Sequence, residues 1–70
     1  MAHSLNKILA NVYRNISVDF PAASVPDVPE VYVPSVVAFL QAACKTIVWH
    51  YDHFNGTLEL HWTKGTLRLP

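Results

Sequence analysis

The sequence predicts an α+β domain, with two helices packed on one face of a three-stranded antiparallel meander, in the order helix, extended connector, helix, strand, strand, strand. Three observations carry this. Residues 46–70 alternate apolar and polar side chains about two turn signals, Asn55-Gly56 and Lys64-Gly65. Two upstream stretches place apolar residues at three- and four-residue steps, the period of a helix with one buried face. Four prolines between residues 21 and 34 keep those stretches apart.

The first helix is expected over residues 4–15. Leu5, Ile8, Leu9, Val12 and Ile16 form its apolar stripe, while Asn6, Lys7, Asn11, Arg14 and Asn15 face away. Ser4 is a suitable N-cap, although Lys7 three positions later denies it a capping box. Ile16 to Phe20 then alternate with period two, giving a short extended piece able to pair with a sheet edge.

Residues 18–34 are expected to be an ordered, extended connector. Each proline fixes its own φ and biases the preceding residue away from helix. Val25, Val28, Val31, Tyr32 and Val33 are more apolar than a disordered linker carries.

A second helix is expected over residues 35–45, with Pro34 or Ser35 at its start. Val36, Phe39, Leu40, Ala43 and Cys44 form the expected buried face, leaving Val37, Gln41 and Lys45 as an exposed stripe flanked by Ala38 and Ala42. A helix this apolar needs cover on a second side, which in a small domain points to a partner chain.

Strands are expected over residues 46–54, 57–63 and 66–69. Gly and Asn tolerate the positive φ of a two-residue hairpin turn, so Asn55-Gly56 sets Tyr51 opposite Leu60, His50 opposite His61 and Asp52 opposite Glu59. Lys64-Gly65 sets Trp62 opposite Leu67 and Leu60 opposite Leu69. Directly opposed residues share a face. Ile47, Trp49, Tyr51, Leu58, Leu60, Trp62, Leu67 and Leu69 therefore form the core side, and His50, Asp52, Glu59, His61, Thr63 and Arg68 form the other.

Seventy residues make one domain, spanning 1–70, with a small core. Its single cysteine, Cys44, excludes an internal disulfide framework and favours a reducing, cytoplasmic setting. With 51% hydrophobic and only 14% charged residues, self-association is the remaining means of stabilisation, and a homodimer is expected. Five Lys and Arg residues scattered without a run give no footprint for nucleic acid. The opening fifteen residues are too polar for a secretory leader, and Pro34, Gln41 and Lys45 interrupt the one stretch near membrane-span length.

The only grouping of chemically versatile side chains is the polar sheet face. Two imidazoles and two carboxylates, His50, His61, Asp52 and Glu59, are ordinary ligands for a divalent metal, and the same residues also make an ordinary solvated or partner-contacting face. The second reading is preferred, so no metal or other cofactor is expected. An exposed sheet face provides no water-excluding pocket for acid–base catalysis, and Cys44 sits where a core thiol sits, so no enzymatic activity is expected. The function that follows is a non-catalytic protein-binding module acting by occlusion or scaffolding, of the accessory or inhibitor kind that phages and mobile elements carry. Its partner surface is expected at His50, Asp52, Glu59, His61 and Arg68 on the sheet and Val37 and Gln41 on the second helix. The alternatives are a small nucleic-acid-associated regulator and a histidine–carboxylate metal-binding protein.

Overall fold

Apolar side chains at positions 8, 9 and 12 bury one stripe of α1 (Leu5–Asn15), and Arg14 in its last turn complements the helix dipole. This helix is seen in a computed structural model that describes residues 5–16 and 20–67. The expected cap Ser4, the stretch from Ser17 to Asp19, and Arg68 and Leu69 lie outside the described residues. The chain continues through β1 (Ala22–Val25), a 3-10 turn (Glu30–Tyr32), α2 (Val33–Ala43), β2 (Val48–Asp52) and β3 (Thr57–His61). Two helices and a three-stranded antiparallel sheet are thus present as the sequence predicts.

The strand order is β1-β3-β2, so the sheet is not the meander expected at the C-terminal end. Its third strand comes from the proline-rich connector, where Ala22 pairs with His61 and Val25 with Leu58. Trp62 N–H donates to the Pro21 carbonyl at 3.0 Å, which seals the side of β3 that residues 66–69 were expected to occupy. Lys64-Gly65 still turns the chain: Thr66 N–H donates to the Thr63 carbonyl at 3.1 Å and Gly65 has φ +84°. The turn leads away from β3, however, and Thr66 and Leu67 belong to no strand. Pro21 and Pro26 bracket β1 and hold it to four residues, which is why its neighbours read as connector.

The hairpin register differs from expectation by two residues. His50 pairs with Glu59, Trp49 with Leu60, Tyr51 with Leu58, Asp52 with Thr57 and Val48 with His61. The loop is four residues long because Asp52 organises it. Its Oδ1 accepts from the backbone N–H of Phe54 at 2.9 Å and of Asn55 at 3.3 Å, and its Oδ2 accepts from Asn55 Nδ2 at 2.6 Å. Gly56, at φ +63°, then donates its N–H to the Asp52 carbonyl at 2.9 Å. Only Gly56 takes the positive φ; Asn55 is spared it by its own side-chain bond to Asp52. A slip of two preserves the parity of every side chain, so the sorting into two faces survives although the pairings change.

Helix α2 begins two residues earlier than expected, with Pro34 inside its first turn and Tyr32 at the cap position in place of Ser35. It ends at Ala43, since Cys44 is extended and donates its N–H to the Leu40 carbonyl at 2.9 Å. The earlier start brings in Val33, and Val33, Val36, Val37, Leu40 and Cys44 then form the buried stripe. Val37, expected at the partner surface, is 6% exposed and belongs to the core, whereas Phe39, expected inside, is 42% exposed. Phe39 sits instead at the seam with α1, tilted against Tyr13 with ring centroids 6.1 Å apart. Both helices contribute to one core with Val25, Leu58, Leu60 and Trp62 of the sheet side, and among the described residues no polar or charged side chain is buried.

Candidate functional site

Alternation along three strands places Ala22 and Ser24 of β1, Thr57, Glu59 and His61 of β3, and Val48, His50 and Asp52 of β2 on the sheet face opposite the core. Ser24, Glu59 and His50 form one row across the strands, and Ala22, His61 and Val48 form the next. His50 therefore lies beside Glu59 and only diagonal to His61, where the sequence places the two imidazoles face to face. Asp52 faces Thr57 instead of Glu59, so the two carboxylates do not confront each other. Among the described residues no three His, Cys, Asp or Glu side chains converge as metal ligands would.

Asp52 stands apart from the others by its duties in the turn. The hydrogen bond from the Asn55 side chain holds its carboxyl below the usual aspartate range, assisted by the backbone N–H groups of Phe54 and Asn55 and by His50 nearby. Its oxygens are thereby committed to the fold. Gln41 is exposed on α2, as expected, and the Val37 position beside it is closed off by burial.

Two exposed apolar groups belong to this face and escape sequence reasoning. Phe20, 65% exposed, lines a shallow hollow with Ala22, Ser24, Glu59 and His61, and Val48, 66% exposed, lies beside His61. Phe20 could have been noticed only by recognising Pro21 to Val25 as the approach to a strand.

On the core side of β2 a second groove, about 290 Å³, runs between the 3-10 turn and the strand, lined by Glu30, Val33, Pro34, Trp49, Tyr51 and His53. Tyr51 donates its hydroxyl to the Val28 carbonyl at 2.6 Å, and His53 Nδ1 lies 3.1 Å from Glu30 Oε2. These contacts anchor the connector to the hairpin. The histidine–glutamate pair is exposed on both sides and adds little stability.

Cys44 is 3% exposed, as a core thiol is. Its Sγ lies 3.0 Å from Thr46 Oγ1 and 3.1 Å from Thr66 Oγ1, and those hydroxyls are 2.9 Å apart. Burial pushes the thiol pKa up, but the hydrogen bonds of Thr46 and Thr66 and the backbone of Thr46 and Ile47 outweigh it and leave it lowered. The cluster fastens the chain after β3 to the link between α2 and β2. Its hydroxyls come from residues 20 apart, which no local motif announces.

No protein-family model, no curated protein and no solved structure matches this chain. No helix among the described residues is long and apolar enough to cross a membrane.

Proposed function

We propose that this chain is a non-catalytic protein-binding module that works by occluding or scaffolding a partner protein, and that it does so as a homodimer within the cytoplasm. One observation carries the reading: the outer face of the sheet has no cover among the described residues and mixes apolar Phe20 and Val48 with His50, Glu59 and His61. Apolar anchors accompanied by hydrogen-bonding groups on one face are what a protein interface presents. Both helices pack on the other side, so nothing in the described chain can close over this one. An inhibitor or accessory subunit would use such a face to cover a site on its target.

The test is affinity capture from the native host with three baits. The wild type is expected to retain a partner at near-stoichiometric yield, the Phe20→Ser/His61→Ala variant to lose it, and Phe54→Ser, altered at the fully exposed hairpin tip, to keep it. Equal retention by all three baits would remove the outer face from the mechanism.

A further inference from the structure

The hydrogen bond from Trp62 N–H to the Pro21 carbonyl fixes the backbone parity of the whole sheet. On β3 the even-numbered residues turn their N–H and C=O groups toward β1, so Thr57, Glu59 and His61 turn theirs toward β2. Their partners Asp52, His50 and Val48 are consequently satisfied within the sheet. Trp49 and Tyr51, lying between them, turn their backbone groups outward from an edge that no strand among the described residues covers.

That edge lacks the usual protections. VWHYD contains no proline, no lysine and no glycine, and every one of its residues is exposed or half-buried. The opposite edge, β1, is shorter and enclosed between Pro21 and Pro26. Natural sheets blunt an edge of the β2 kind or else pair it.

We infer that β2 pairs antiparallel with β2 of a second copy of this chain, about a two-fold axis at His50, joining the two sheets into one. This deepens the dimer half of the reading above and rests on it. The register is selected by the free groups. Centring on His50 sets Trp49 against Tyr51 of the other copy twice over, and all the outward N–H and C=O groups of both residues are used. Centring on Trp49 would call on Ile47, whose N–H already donates to the Cys44 carbonyl, and centring on Tyr51 would call on His53 in the turn.

The side chains agree with that register. On the core side Trp49, 43% exposed in the single chain, gains the aromatic ring of the second copy's Tyr51. On the outer side each His50 meets the other at the axis and lies diagonal to the second copy's Asp52, with its own Glu59 behind it. The imidazole pair is thus flanked by carboxylates from both chains, which can accept its ring N–H groups. Val48 beside Asp52 of the other copy is the one poorly matched pair.

Light scattering across a hundredfold range of concentration, with cysteine cross-linking, tests the pairing. A non-hydrogen-bonded antiparallel pair brings Cα atoms to about 4.5 Å, within reach of a disulfide. The His50→Cys variant should therefore form a reducible covalent dimer on mild oxidation. Val48→Cys should not, because its two copies stand roughly 13 Å apart in this register. His50→Lys, which sets two ammonium groups on the axis while keeping a favourable neighbour in Glu59, should weaken the dimer at least tenfold with an unchanged far-ultraviolet spectrum. A dimer indifferent to His50→Lys, with His50→Cys uncoupled, overturns the edge pairing and leaves the dimer standing on another surface. A wild type monomeric at every concentration overturns both.

Discussion

Asp52 is the residue on which the hairpin turns, and its effect is open to titration. Its folded pKa lies below the unfolded value, because the charged form accepts hydrogen bonds from Asn55 and from the backbone that the neutral form cannot match. The stabilisation is therefore fully present above the unfolded pKa, about 3.9, and is lost as pH falls through the lower folded value. Urea midpoints measured from pH 5 down to pH 3 are expected to fall for the wild type. Asp52→Ala should start lower at pH 5 and show a shallower fall, since its share of the linkage is gone. Identical slopes for the two proteins would show that other carboxyls govern acid sensitivity. The same residue explains the limit of the sequence reading at this site. Asn55-Gly56 announces a hairpin, but whether the loop has two residues or four depended on Asp52 reaching forward to Asn55. That contest between two local solutions is decided by side-chain hydrogen bonds, which periodicity does not encode. The sorting of His50, Glu59 and His61 onto one face was legible because a slip of two cannot change parity, and their pairing was not.

At the scale of elements, α2 shows how a boundary controls everything read from it. Starting the helix at Ser35 omits Val33, and the apolar residues that remain leave its buried face ambiguous. With Val33 included, Val33, Val36, Val37 and Leu40 fall at helical spacing and settle it. Val37→Ala should accordingly cost about 2 kcal/mol, the loss of two buried methyl groups and the void they leave, whereas Gln41→Ala should stay within about 0.5 kcal/mol. Thermal or urea unfolding of the pair decides it; equal effects would mean that α2 is rotated from the orientation described. Strand β1 offers a sharper test, because backbone parity separates adjacent residues. Ala23, opposite Leu60, turns its N–H toward β3, and Ser24, opposite Glu59, turns its own outward. Ala23→Pro should abolish cooperative unfolding or lower its midpoint severely, while Ser24→Pro should leave the sheet intact. The reverse order would place β1 in the wrong register. This strand was the least legible part of the fold. Four residues between prolines carry too little pattern, and their partner lies more than thirty residues away in a strand that sequence reasoning had already given to residues 66–69.

For the molecule as a whole, what matters is that one small core sits on one side of one sheet. A domain of this length has net stability on the order of 5 kcal/mol, and its described core is wholly apolar, with neither disulfide nor buried ion pair within it. Any gain from association is then a large fraction of the total. If two copies join at β2, folding is coupled to pairing, and each tenfold rise in protein concentration adds about 1.4 kcal/mol to the dimer's resistance to unfolding. The urea midpoint of the wild type is therefore expected to climb with concentration, and that of His50→Lys to be lower and nearly flat. Leu60→Ala gives the complementary result. Leu60 is fully buried between Ala23 and Trp49, and its truncation should cost about 3 kcal/mol, leaving a chain whose urea midpoint is sharply lowered when dilute and recovers when concentrated. Concentration-independent midpoints for both the wild type and Leu60→Ala would mean that the single chain carries its own stability. The open edge of β2 would then be left for a different protein to fill.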